Sequence, residues 1–249
     1  MDLNNLLAGF PSITLKEMDE VSLTNRIDTK YVFHISLLSD ILNSLLPCYR
    51  ILEIDQIRVH PYETLYFDDQ ELSLYLNHHN QRGSRYKLRL RRYGSSSVCY
   101  MEMKRKTNTG RTIKARMKTT AFDPALHPEQ ESFFREQTAL SNGKWDFTTR
   151  IKFNRITLVS LNPPERMTLD LQLHFGDSTR SKEFPNLVVA EVKQGSKSPS
   201  AFIKEMKNRH IHPFSLSKYC LGLSLLRPEI KQNLFKKQQL IIQQLQDRA

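Results

Sequence analysis

The stretch Tyr86-Lys87-Leu88-Arg89-Leu90-Arg91 alternates apolar and basic residues without a break. On an extended strand successive side chains point to opposite faces, so Lys87, Arg89 and Arg91 share one face while Tyr86, Leu88 and Leu90 share the other. One face is wholly cationic and the other is suited to a core. The next segment sets Tyr100, Glu102, Lys104 and Lys106 against Cys99, Met101 and Met103, and a third sets Lys114, Arg116 and Lys118 against Ile113, Ala115 and Met117. Later segments repeat the pattern with acids included. Arg166, Thr168, Asp170 and Gln172 oppose Met167, Leu169 and Leu171, and Glu191 and Lys193 oppose Val188, Ala190 and Val192. Near the start, Asp28 and Lys30 are also two apart.

Period-two alternation predicts eight strands, at about 28–34, 64–68, 85–93, 98–106, 111–118, 151–160, 166–175 and 187–194. Turn-formers such as Gly94-Ser95-Ser96-Ser97, Asn108-Thr109-Gly110 and Asn162-Pro163-Pro164 separate several of them. Helical spacing predicts a core-facing helix over 36–46, stopped by Pro47, and others over about 129–140, from Ser198-Pro199, and over 215–226. A polar helix over about 228–248, opened by Pro228, carries Ile230, Leu234, Ile241 and Leu245 on one side and is expected to dock on the body. Strands mostly follow one another directly, which favours an antiparallel sheet with helices packed outside it. The expectation is an α+β chain, mainly antiparallel β: a single domain over 1–249, with its core over about 26–222.

Composition sets the chemistry. Among 249 residues, 37 Lys+Arg stand against 26 Asp+Glu, a net charge of +11, which implies an anionic partner. The apolar fraction of 39% and mean hydropathy of −0.51 are polar for an enzyme, yet too rich in large apolar residues for a disordered chain. No run approaches the roughly 18 apolar residues of a membrane span, and the first residues lack the layout of a signal peptide, so the cytosol is the expected compartment. Cys48, Cys99 and Cys220 have no CxxC spacing and indicate neither a disulfide framework nor a thiolate zinc site.

Like charges directly opposite one another on adjacent strands are destabilising. A sequence that repeats this arrangement on strand after strand is expected to gain something by it. The reading is a sheet closed into an eight-stranded tunnel barrel, with a charged interior and apolar faces turned outward under the helices. Such a tunnel needs a polyanion. Arg offers planar forked donors suited to phosphate oxygens, Lys a mobile point charge, and the interspersed carboxylates would hold Mg²⁺ or Mn²⁺. Phosphate-loop, dinucleotide-binding, GxSxG and HExxH motifs are absent. The pair His78-His79 would point two ways on a strand, which suits a surface or tunnel-mouth contact better than a metal.

The quoted motifs carry a resemblance. Arg26-x-Asp28-x-Lys30-Tyr31, Tyr66-Phe67-Asp68, Tyr75-x-x-His78-His79-Asn80, Arg85-x-Lys87-x-Arg89-x-Arg91-x-Tyr93, Glu102-x-Lys104-x-Lys106, Gly110-Arg111-Thr112-x-Lys114-x-Arg116, Arg155, Thr168-x-Asp170, Glu191-x-Lys193 and Ser217-Lys218-Tyr219 resemble the bacterial branch of the VTC domain. That domain belongs to the triphosphate tunnel metalloenzymes, related to the CYTH group. The resemblance implies an eight-stranded tunnel acting on triphosphate groups. Its eukaryotic members are polyphosphate polymerases that move the terminal phosphate of ATP onto a growing chain, release ADP and favour Mn²⁺. It further implies that Lys30, Arg89, Arg91, Lys104, Lys106, Lys114, Arg116, Arg155 and Lys218 bind phosphate, with Lys30, Arg89, Arg91, Lys104 and Arg155 among them as the catalytic set, that Glu191 is the main metal ligand, and that Glu102 and Asp170 help it. Lys87, Arg166 and Lys193 join the substrate-binding set through the charged faces they share. The ExExK signature of the wider group is here Ile27-Asp28-Thr29-Lys30, with one acid instead of two.

The expected partners are therefore ATP and inorganic polyphosphate, with no specific nucleic acid. A membrane-protein partner is compatible with the complexes of the eukaryotic relatives, and the oligomeric state stays open. Two other readings share the residues: a triphosphatase in the same tunnel, and a non-catalytic module that binds polyphosphate or nucleic acid. Nucleic acid binding is disfavoured by aromatics that are expected to alternate onto the apolar faces.

Overall fold

The computed structural model describes residues 3–21, 26–94, 98–138, 140, 144–195 and 199–248. Among these the strands are β1 Ser12–Ile13, β2 Ile27–His34, β3 Arg50–Leu52, β4 His60–Asp68, β5 Arg85–Tyr93, β6 Cys99–Lys106, β7 Thr112–Thr119, β8 Asp146–Leu161, β9 Pro164–Gly176, β10 Ser181–Phe184 and β11 Leu187–Gln194. The helices are α1 Leu3–Ala8, α2 Leu15–Glu20, α3 Leu38–Leu45, α4 Ser73–His79, α5 Pro128–Gln137, α6 Ala201–Asn208, α7 Lys218–Leu226 and α8 Lys236–Gln246. All eight expected strands are present. The turn residues Ser95, Ser96 and Ser97 and the expected helix start at Ser198 lie outside the described residues. Ser200 caps α6, accepting from the Ile203 N–H.

The main sheet runs in the order β2-β11-β9-β8-β4-β5-β6-β7, with antiparallel neighbours. It is curled but not closed, which corrects the expected barrel: among the described residues β2 and β7 do not pair. Two causes are visible. Arg26 on the β2 side stands near Lys114 on β7, like charges on the two lips that Asp28 offsets only in part. The free edge of β2 is also partly taken, since the Phe214 N–H donates to the Lys30 carbonyl at 2.7 Å. The segment 211–217 between α6 and α7 thus fills part of the gap.

Apolar residues pack on both faces of the curl. On the convex side Ile156, Leu158, Met167, Leu169, Val188 and Ala190 lie under α1, α3 and α6, with Ile41, Leu42 and Leu45 of α3 fully buried. Leu88, Leu90, Met101 and Met103 lie under Phe133 and Phe134 of α5. The third cluster corrects the expectation that helices stay outside. Val32, Phe153 and Val189, two residues along from Lys30, Arg155 and Glu191, pack with Tyr219, Leu221 and Leu223 of α7. The concave face is therefore charged at one end and apolar at the other, where α7 fills it. The seat is close: a Cβ on Gly222 would lie 2.6 Å from Phe175 Cδ1 and 3.2 Å from Thr149 Cγ2.

Smaller departures have local causes. Gln172, expected on the charged face, sits at φ 51° beside a register shift between β8 and β9, and its side chain accepts from Asn154 instead. The C-terminal helix is shorter than expected, α8 being preceded by a 3₁₀ turn at Asn233–Phe235, but Ile242 and Leu245 dock on the body. His78 and His79 lie on α4 rather than a strand. His79 is buried and its Nε2 faces the Leu234 N–H at 3.2 Å, while burial, then Lys87 and Arg85, push His78 down to about 2. No helix among the described residues is long and apolar enough to cross a membrane.

Candidate functional site

The charged end of the concave face encloses a cavity of about 490 Å³. Seven of the eight strands in the curl reach it directly; the eighth, β9, acts from behind through Asp170. Strand pairing stacks its charges in rows. Lys87, Lys104 and Lys114 stand opposite one another across β5, β6 and β7, and the next row is Tyr66, Arg89, Glu102 and Arg116 across β4 to β7. Arg91, Tyr100 and Lys118 form the row beyond. Of the three lysines in the first row, none has a carboxylate within 4 Å among the described residues. The Lys87 ammonium donates to Ser217 Oγ at 2.9 Å, and Lys30 donates to the Leu216 carbonyl at 2.8 Å.

This crowding shows in the titration. Partial desolvation of a side chain that stays exposed at the cavity's open side, then Lys87, Lys114 and Lys30, bring the Lys104 ammonium down to about 8. Burial would raise Tyr66, but Arg89, Arg91 and Lys87 outweigh it and lower the phenol to about 8. Burial favours the neutral form of Glu191, yet Lys193, Lys30 and Lys218 hold its carboxyl at about 2.

The carboxylates serve different ends. Glu102 accepts from Arg89 Nε at 2.6 Å. Asp170 does not line the cavity; it lies behind Arg155, accepting Nε at 2.6 Å and Nη2 at 2.8 Å, and it also takes the Lys218 ammonium. Burial would raise its carboxyl, and Arg155 and Lys218 together hold it well below the ordinary range. Glu191 is the least engaged, with the Lys193 ammonium at 3.5 Å and Lys30 opposite it on β2. Among the described residues no three His, Cys, Asp or Glu side chains form a ligand set. A hard cation such as Mg²⁺ is commonly held by one or two carboxylates together with substrate phosphates, and Glu191 fits that use.

Twelve of the fifteen expected site residues line this cavity: Lys30, Lys87, Arg89, Arg91, Glu102, Lys104, Lys114, Arg116, Arg155, Glu191, Lys193 and Lys218. Lys106 is an exposed rim residue opposite Arg85. Arg166 lies in an adjoining chamber of about 970 Å³, donating to the Met18 carbonyl at 2.8 Å. The two spaces share Arg116, Arg155 and Lys193. Tyr100 lines the second chamber as its strand face demands, and Tyr66 and Phe153 reach the first from the apolar cluster under α7; Tyr62 and Tyr93, which also line the second chamber, depart from the expectation that aromatics lie on the apolar faces. Arg155 sits over Tyr62 at 4.7 Å from the ring centre. Tyr66, Ser217, Arg26 and Asp28 also reach the first cavity without having been picked as site residues. All four lie in the quoted motifs, which was the available signal.

The VTC domain family model matches residues 25–227. No curated protein matches the chain. Among solved structures, the PH1819 protein from Pyrococcus horikoshii OT3 is 10% identical, covers 82% of this chain and 99% of its own, and superposes with a TM-score of 0.45. HpAC1 from Hippeastrum, a putative adenylyl cyclase with a dominant triphosphatase activity, is 15% identical over 80% of this chain and 97% of its own, with a TM-score of 0.44. A conserved hypothetical protein from Pyrococcus furiosus is 16% identical over 76% of this chain and 97% of its own, with a TM-score of 0.38. The family match spans most of the chain and contains every residue of the cavity described above, and the chain belongs to the VTC domain family.

Proposed function

We propose that the domain is a metal-dependent polyphosphate polymerase that transfers the terminal phosphate of ATP to inorganic polyphosphate and releases ADP. The observation that carries this reading is the Lys87–Lys104–Lys114 row, three cations opposite one another with no carboxylate within 4 Å among the described residues. Such a row is costly when empty and is relieved by a chain of phosphate oxygens. Arg89, Arg91, Arg116 and Arg155 supply forked donors around it.

Phosphoryl transfer depends mainly on alignment and on neutralising charge over the phosphoryl oxygens. The terminal oxygen of the acceptor chain attacks the γ-phosphorus, the bond from that phosphorus to the β-bridging oxygen breaks, and its electron pair leaves on ADP. The attacking oxygen is already an anion, so no side chain need remove a proton. The main task is to hold two anions together, and lysines and arginines on both sides of the cavity do that. Mg²⁺ or Mn²⁺, held by Glu191 and substrate oxygens, would supply further neutralisation of the transferring group.

A triphosphatase in the same cavity has one specific support: Tyr66 lines it beside Arg89, Arg91 and Lys87, which lower the phenol to about 8, and a group of that acidity can orient a water. The two readings separate in one tube. Purified protein is incubated with ATP and Mn²⁺, products are resolved by length, and ADP and free phosphate are assayed together, with Glu191→Ala as control. A polyphosphate ladder matched by ADP and absent from the control supports the polymerase. Free phosphate without a ladder supports the triphosphatase.

A further inference from the structure

Asp68 ends β4 away from the cavity and is completely buried. Its carboxylate has four donors: the Asp69 and Leu74 N–H groups, both at 2.9 Å, the Tyr75 N–H at 2.8 Å, and the Tyr219 hydroxyl. The Leu74 and Tyr75 N–H groups fix it to the start of α4. The fourth comes from the opposite side, from the first turn of α7. Nothing in phosphate binding requires so heavily satisfied an acid at this distance from the substrate space.

Tyr219 is the link. It follows Ser217 and Lys218, which are respectively the N-cap and first residue of α7, and both of these line the cavity. Ser217 Oγ receives the Lys87 ammonium and Lys218 reaches Asp170. The Tyr219 ring also stacks on Tyr66, with ring centres 5.0 Å apart and planes 18° from parallel. Tyr66 is two residues before Asp68 on the same face of β4 and stands opposite Arg89. Asp68 therefore touches the phosphate-binding wall twice, once through the helix that carries Ser217 and Lys218 and once through the tyrosine beside Arg89.

We propose that Asp68 and Tyr219 are a positioning pair that sets α7 against β4 and so places Lys218 on the phosphate-binding wall. The proposal rests on the functional reading above, since it assumes that the cavity takes a triphosphate group. A pair of merely structural value would lower stability without any special relation to Lys218. A positioning pair acts through Lys218, so its loss and the loss of Lys218 remove the same interaction.

The test is calorimetric titration of sodium tripolyphosphate with Mg²⁺ into the full chain as wild type, Tyr219→Phe, Lys218→Ala and the double variant. Each single substitution is expected to weaken binding about tenfold, the scale of one hydrogen bond to a charged group. The double variant is expected to be weakened about tenfold as well. A roughly hundredfold loss in the double variant, or wild-type affinity in Tyr219→Phe, overturns the pair. If Tyr219→Phe does not fold, Asp68→Asn takes its place: its amide sets an NH2 group against two of the four donors, so binding is expected to weaken about tenfold, with no further loss when Lys218→Ala is added, and wild-type affinity or an additive loss overturns the pair. Absence of binding by the wild type overturns the functional reading itself, a separate outcome.

Discussion

Arg155 and Asp170 face each other across β8 and β9 and are joined by two hydrogen bonds, Nε to Oδ1 at 2.6 Å and Nη2 to Oδ2 at 2.8 Å. Asp170 is 1% exposed and also holds Lys218. Breaking a buried pair from one side leaves uncompensated charge, at a cost of about 3–5 kcal/mol. Asp170→Ala is expected to lose about that much stability in urea unfolding. The folded carboxyl titrates below its ordinary value of 3.8, so its contribution is present above that pH and is lost as the pH falls below it. Melting temperature should fall more steeply below pH 4 in the wild type than in Asp170→Asn.

Glu191→Gln keeps the shape of the side chain and removes its charge. Binding of tripolyphosphate is expected to be retained or tightened, because one negative charge leaves the cavity. Turnover of ATP is expected to fall by about 10²-fold or more, the scale seen when one group stabilising a transition state is removed. Retained turnover with unchanged metal dependence would rule Glu191 out as the metal anchor.

Lys104 and Tyr66 both titrate near 8, one losing a positive charge and the other gaining a negative one. Both changes weaken a polyanion, so affinity is expected to fall as the pH rises through 8. Below it the two groups contribute fully. Titrations in buffers of different ionisation enthalpy should show protons taken up on binding at pH 8.5 and few at pH 6.5, whereas pH-independent binding would remove these two groups from the site.

Gly222→Ala would put a Cβ within 2.6 Å of Phe175 Cδ1. Overpacking of this kind costs about 1–3 kcal/mol. Unfolding should show that loss, together with weaker tripolyphosphate binding as α7 shifts Lys218 and Ser217 from the wall.

The strand faces were legible because alternation over five or more residues is a strong local signal: Lys87, Arg89 and Arg91 share the cavity as their spacing demands. What decides closure is not local. Whether β2 pairs with β7 depends on charges brought together from residues nearly ninety apart and on Phe214 taking the Lys30 carbonyl. Gln172 left its face through a single left-handed residue that period-two reading cannot anticipate. The sequence 218–226 reads as a helix in either setting, so its place inside the curl was invisible. Tyr66 was passed over for a related reason, since a tyrosine between two apolar neighbours resembles core until three cations are found around its hydroxyl. His78 and His79 were read on a strand because the seven-residue helix that carries them is too short for a clear period.

The cavity, rather than the basic surface as a whole, is expected to bind the triphosphate group. The direct measurement is tripolyphosphate affinity in Arg89→Ala against Lys236→Ala, two variants of equal net charge, one altered inside the cavity and one at an exposed position on α8. A loss of about 10- to 100-fold is expected for Arg89→Ala and none for Lys236→Ala. Equal affinities in the two variants would contradict it.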